Sequence, residues 1–117
     1  GSDQYGLVFK APDYDTGFGY YFGVTCDGKF TLNRWDSSGN AVLIPQTPEN
    51  SILQGPGQTN RLGVMVSGEK ITLYINGRQV KDVQDKALPN GYYGVFLGGY
   101  SGNLTIQLDE ISYWVQP

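Results

Sequence analysis

Apolar and polar residues alternate with a period of two along most of this chain. In "GEKITLYINGRQVKDV", residues 68–83, Ile71, Leu73 and Ile75 interleave with Lys70, Thr72 and Tyr74, the spacing of a strand with one buried face. Asn76-Gly77 then offers the two φ > 0 residues of a type I′ turn. Pairing Ile75 with Arg78 sets Tyr74 opposite Gln79 and Leu73 opposite Val80, so polar meets polar and apolar meets apolar. The expected element is a two-residue β-hairpin.

Strand-like runs recur at short intervals: "YGLVFKA" (5–11), "FGYYFGVTC" (18–26), "KFTLNRW" (29–35), "AVLIP" (41–45), "NRLGVMVS" (60–67), "YYGVFLGGY" (92–100) and "LTIQLDEISYWV" (104–115). Turn-rich segments separate them, among them "PDYDTG" (12–17), Asp27-Gly28, "DSSGN" (36–40), "QTPENSILQGPGQT" (46–59) and "DKALPNG" (85–91). No segment has a helical period; residues 46–55 form one short turn at most. Eight or nine antiparallel strands, mostly in sequential hairpins, predict an all-β sandwich or barrel. Alternation places Phe18, Tyr20, Phe22, Val24 and Cys26 on one face, with Phe30, Leu32, Leu62, Val64, Val66, Ile71, Leu73 and Ile75 continuing the core. The opposite face carries Gly19, Tyr21, Gly23, Thr25, Thr31, Asn33, Trp35, Thr72 and Tyr74. The last run changes phase between Leu108 and Ile111, which predicts a β-bulge at Asp109-Glu110.

Composition narrows the chemistry. The 117 residues make one domain, with 17 Gly, 9 Tyr and a net charge of −3. No basic run exists, which argues against nucleic acid and anionic membranes as partners. No apolar run is long enough to insert in a membrane as a helix. Histidine is absent and Cys26 is the single cysteine. The usual general base and any internal disulfide or Cys-based zinc cluster are thereby excluded. Cys26 itself reads as a small buried hydrophobe.

Several segments of "YGLVFKAPDYDTGFGYYFGVTCDGKFTLNRWDSSG", together with Asn60-Arg61-Leu62, Leu73-Tyr74-Ile75-Asn76-Gly77 and Leu108-Asp109-Glu110-Ile111, resemble a bacterial branch of the concanavalin A-like lectin/glucanase superfamily. They look like its laminin-G-like and 3-keto-disaccharide hydrolase-like domains. The resemblance implies an antiparallel jelly-roll β-sandwich and an extracellular, cell-surface or periplasmic setting. Relatives of that kind usually carry further strands before the segment matching Tyr5. The expectation is a sandwich lacking its N-terminal strands, completed by a homodimer partner or a retained N-terminal fragment.

Four constellations bear on function. Asp13 and Asp15 place two carboxylates in a glycine-ended loop, half of a calcium site if backbone carbonyls complete it, although turns are rich in Asp in any case. Asp109 and Glu110 are adjacent, so a regular strand points them to opposite faces; glycoside hydrolysis needs two carboxylates converging on one bond. The glycine-rich 98–103 reads as a hairpin loop, because a phosphate cradle needs a helix after it. Tyr21, Trp35 and Tyr74, with Asn33, Thr31 and Thr72, could stack on and read a sugar. The more ordinary role of such aromatics is to cover the sheet or to pack against missing strands. The favoured reading is a non-catalytic binding or adhesion module with carbohydrate as the leading ligand class. A glycoside hydrolase or lyase, and a purely structural association domain, are the alternatives.

Overall fold

The computed structural model describes residues 4–13, 15–25, 27–54, 60–88, 91–98 and 111–116. Among them are nine strands and no helix: β1 (Gln4–Ala11), β2 (Gly19–Thr25), β3 (Lys29–Asp36), β4 (Gly39–Pro48), β5 (Leu62–Ser67), β6 (Lys70–Ile75), β7 (Arg78–Gln84), β8 (Tyr92–Gly98) and β9 (Ile111–Gln116). They form a β-sandwich. The first sheet has the order β4-β3-β2-β1-β8 and the second β7-β6-β5-β9. Each sheet is a meander of consecutive hairpins, and each takes one late strand beside its first strand. The expected bulge at Asp109-Glu110, the 98–103 loop beyond Gly98, and Cys26 lie outside the described residues.

The core follows from the alternation. Leu7, Phe9, Tyr20, Phe22, Val24, Phe30 and Leu32 of the first sheet meet Leu62, Val64, Val66, Ile71, Leu73 and Ile75 of the second, all essentially inaccessible to solvent. Burying each such side chain contributes about 1.5–3 kcal/mol before entropy is counted. Phe9 stacks on Tyr20 with ring centroids 5.3 Å apart, and Phe22 meets Phe30 edge-on at 6.4 Å. Ring pairs of both kinds are favourable geometries.

Three departures from strict alternation and one from antiparallel pairing matter. In the β6–β7 hairpin Ile75 faces Arg78 and Tyr74 faces Gln79 as expected, but Leu73 pairs with Lys81, not Val80. The irregularity has a physical reason: Val80 and Val83 both pack against the core, and residues three apart cannot share a face in a regular strand. Strand β4 extends beyond the expected 41–45 and carries two irregularities, between its partners Thr47 and Ile44 and between Ile44 and Val42. These accommodate Pro45 on an edge strand and let adjacent Leu43 and Ile44 both reach the core. Phe18, expected in the core, precedes β2 and is only half-buried; Gly19, at φ +153°, breaks the alternation behind it. Lastly, β9 runs parallel to β5, from Leu62↔Ile111 to Ser67↔Gln116, whereas the other pairings among the described residues are antiparallel.

Polar ties hold two of the three crossings between sheets, those from β4 to β5 and from β7 to β8. At one end, Asn60 donates through Nδ2 to the Tyr5 hydroxyl at 2.8 Å and to the Leu53 carbonyl at 3.1 Å. Its Oδ1 accepts from the Leu53 amide and from Asn76 Nδ2. Asn76 also donates to the Ser51 carbonyl and accepts the Arg61 amide. At the other end, Asp85 accepts the Tyr20 hydroxyl and the Ala87 amide on Oδ1, and Arg34 Nη1 at 2.5 Å on Oδ2.

Asn76 and Gly77 have φ of +53° and +81°, the pair that a type I′ turn needs. A Cβ at Gly77 would meet nothing within 4 Å, so any penalty there is conformational. Gly77→Val is expected to lower stability by at least about 1 kcal/mol. Urea unfolding checks this, and an unchanged midpoint would contradict the turn assignment.

Candidate functional site

Because β2 buries its even residues, Tyr21 points away from the core, and the ladder sets it opposite Asn33. Gly19 lies opposite Trp35 in the same ladder. Tyr21, Asn33 and Trp35 therefore share the outer face of the first sheet. Tyr74 does not join them: it lies between buried Leu73 and Ile75 on β6 and faces outward from the second sheet. A single platform of Tyr21, Trp35 and Tyr74 is ruled out by this placement. Thr25 and Thr31 on outward positions of the first sheet are buried, as is Thr72 on the second, so the open part of the first sheet is narrower than the alternation implied.

That open part leads into a cavity of about 140 Å³ lined by Val8, Ala11, Asp13, Gly17, Phe18, Tyr21, Tyr92, Tyr93 and Gly94. Three features build it. In the β1–β8 ladder Val8 faces Gly94 and Ala11 faces Tyr92, so a bulge holds Phe9 and Lys10 opposite Tyr93 alone. Lys10 takes φ +54° there, a conformation uncommon outside glycine. The bulge turns both Phe9 and Lys10 inward and shifts Ala11 to the outer side, beside Val8.

Gly91 supplies the second feature: a Cβ on it would come within 2.3 Å of the Ala11 carbonyl oxygen. Only glycine lets the 85–91 connection approach β1 so closely, and that approach delivers Tyr92 and Tyr93 to the cavity. The third is the 12–17 loop. Asp13 Oδ1 accepts the amides of Asp15 and Thr16 at 2.9 Å each and the Thr16 hydroxyl at 3.0 Å. The Thr16 and Asp15 amides and the Thr16 hydroxyl hold the Asp13 carboxyl below the usual range, with slight burial opposing them. The loop is closed onto the cavity by Tyr21, whose hydroxyl donates to the Gly17 carbonyl at 2.6 Å. Burial pushes the Tyr21 phenol up.

The result is a small concavity with four aromatic walls and one ionised carboxylate at its rim. Tyr92 and Tyr93 are 49 % and 59 % exposed, and Trp35, on the outer face of the same sheet, is 46 % exposed. From the Trp35 strand to the Tyr92 strand is three strand spacings, roughly 14 Å. Tyr92, Tyr93 and Phe18 were not singled out by pattern. The adjacent Tyr92-Tyr93 after a glycine was visible, but nothing local placed β8 beside β1. For Phe18, glycines on both sides were the signal that its strand had not begun. The expected calcium ligands Asp13 and Asp15 belong to one loop, in which Oδ1 of Asp13 already carries three hydrogen bonds. Among the described residues no group of three or more His, Cys, Asp or Glu could hold a metal.

A second, more open cavity of about 510 Å³ is lined by Arg34, Glu69, Gln84, Asp85, Lys86 and Ala87. Two of its four charged side chains, Arg34 and Asp85, are paired with each other. Arg34 bridges Asp36 and Asp85, and the Asp85 amide is itself bonded to the Glu69 carbonyl. Burial alone would raise the Asp85 carboxyl, but Tyr20, the Ala87 amide and Arg34 outweigh it and hold it below the usual range. Burial lowers the neighbouring Lys10 ammonium, with Asp85 opposing. Lys10 Nζ sits 5.9 Å from the Tyr20 ring centroid, within reach of a cation–π attraction.

No family model, curated protein or solved structure matches the chain. The class defined here is thus structural: an all-β, two-sheet sandwich with an aromatic concavity on one outer face.

Because the folded-state pKa of Asp85 is depressed, its stabilising contribution is present above the unfolded value, about 3.9, and is lost as pH falls through the folded one. The wild-type melting temperature should therefore drop more steeply on acidification below about pH 4 than that of Asp85→Asn. Parallel pH profiles would show that this carboxylate is not a folding lock.

Proposed function

We propose that the chain is a non-catalytic binding module whose ligand is carbohydrate, held on the outer face of the first sheet. The observation that carries this reading is the cavity walled by Phe18, Tyr21, Tyr92 and Tyr93, with Trp35 and Asn33 along the same face. Aromatic rings offer flat apolar surfaces to the C–H faces of a sugar, and an amide or carboxylate beside them accepts or donates to its hydroxyls. A cavity of this size takes one ring-sized group, and the strip toward Trp35 leaves room for neighbouring units.

The carboxylates that converge elsewhere support a binding role over hydrolysis. Asp36 and Asp85 meet on Arg34, and Asp85 also holds Tyr20. Acids so occupied are poorly placed to act as the proton donor and nucleophile of a glycosidase. A concanavalin A-like jelly roll in a surface or secreted protein is the setting consistent with the resemblance of its sequence motifs.

Titration calorimetry of the 117-residue chain against soluble β-linked oligosaccharides tests this reading. Tyr93→Ala and Tyr21→Ala should each weaken binding by about fivefold or more, a stacking contribution of about 1 kcal/mol. Tyr74→Ala, on the other sheet, should leave affinity unchanged. Binding that responds to Tyr74 and ignores Tyr21 and Tyr93 would overturn the assignment.

A further inference from the structure

Resting on the carbohydrate reading, we infer that the sugar this site prefers bears a positive charge: an oligosaccharide of amino sugars with free amines, selected by the Asp13 carboxylate at the rim of the aromatic cavity. The described lining residues include one charged side chain, Asp13, and no cation. Lys10, the nearest basic residue in sequence, is turned inward by the β1 bulge and faces the Tyr20 ring.

The Asp13 carboxylate stays ionised because two amides and a hydroxyl of its own loop bond to Oδ1. Those bonds fix the carboxylate in place, and among the described residues of the loop all three fall on Oδ1. Phe18, Tyr21, Tyr92 and Tyr93 line the same cavity, and the face of an aromatic ring attracts a cation more than a neutral group. An ammonium on a sugar ring meets both conditions at once: the ring's C–H face takes the aromatics, and the charge takes the carboxylate. A net charge of −3 adds a weak long-range attraction of the same sign.

The cavity volume sets a limit on the alternative of a bare quaternary ammonium. At about 140 Å³ it is close to the cavity that accepts benzene, larger than a lone methylated ammonium needs. A six-membered ring with one ammonium substituent fills it better.

The test compares three probes of equal length by calorimetry: a β-1,4-linked glucosamine oligomer, its N-acetylated form, and the matching glucose oligomer. The glucosamine oligomer should bind at least about tenfold more tightly than either neutral probe, about 1.4 kcal/mol, and added salt should shrink that difference. Asp13→Asn keeps an Oδ1 acceptor for the loop, and it should bring the glucosamine affinity down to that of the glucose oligomer. Equal affinities for the three probes in the wild-type chain would sink the charge selectivity while leaving the carbohydrate reading intact. Binding of none of the three would overturn both. Tetramethylammonium binding in competition with no sugar binding would assign the cavity to a small cation and overturn both as well.

Discussion

Every sandwich must carry its chain from one sheet to the other, and the buried polar groups at that crossing need partners. Asn60 meets this constraint here. It is almost wholly buried, and its amide makes four hydrogen bonds that join β1, the 49–61 crossing and the β6–β7 turn. A buried amide left unpaired costs about 1–3 kcal/mol, so sheets displaced from this arrangement would each leave such groups stranded. Asn76 serves two purposes at once: its backbone forms the φ > 0 turn, and its side chain reaches Ser51, Asn60 and Arg61. The hairpin that alternation predicts from local pairing is thus also one end of the link between sheets.

The second crossing is secured by charge. Tyr20 reaches Asp85 from a site where burial pushes its phenol well above the ordinary range, and Arg34 closes the pair from β3. In the ladder of the first sheet Tyr5 lies opposite Val24 while Phe9 lies opposite Tyr20, so the two polar ties stand at opposite ends of the same strands. Between them the core needs only to be apolar and of the right volume. A cluster of Tyr, Asp, Arg and Lys beside a cavity has the composition of a catalytic centre. Its geometry is that of a clasp, with each acidic oxygen of Asp85 already bonded.

The outer-face cavity depends on interruptions of regular structure. A bulge at Lys10, a glycine-only approach at Gly91 and a capped loop at Asp13 bring residues from three segments against Tyr21. A regular ladder would have kept Ala11 on the core side and left Tyr21 on an ordinary sheet surface. Bulges commonly re-aim side chains beside sites, and here the same bulge also removes the nearest cation from the cavity by burying Lys10.

The strands, their inward faces and the β6–β7 turn were determined by the sequence by itself, because period-two alternation and Asn-Gly chemistry act between near neighbours. Glycines flanking Phe18 and the spacing of Val80 and Val83 held local hints of where alternation would fail. The cavity was decided only by tertiary structure: Tyr92 and Tyr93 are some 70 residues from Tyr21 in sequence, and they meet it through β8 pairing with β1. The separation of Tyr74 from Tyr21 and Trp35 has the same origin. Alternation says which side of its own sheet a residue faces; it carries no information on which of two sheets that is, because the partition follows from long-range pairing.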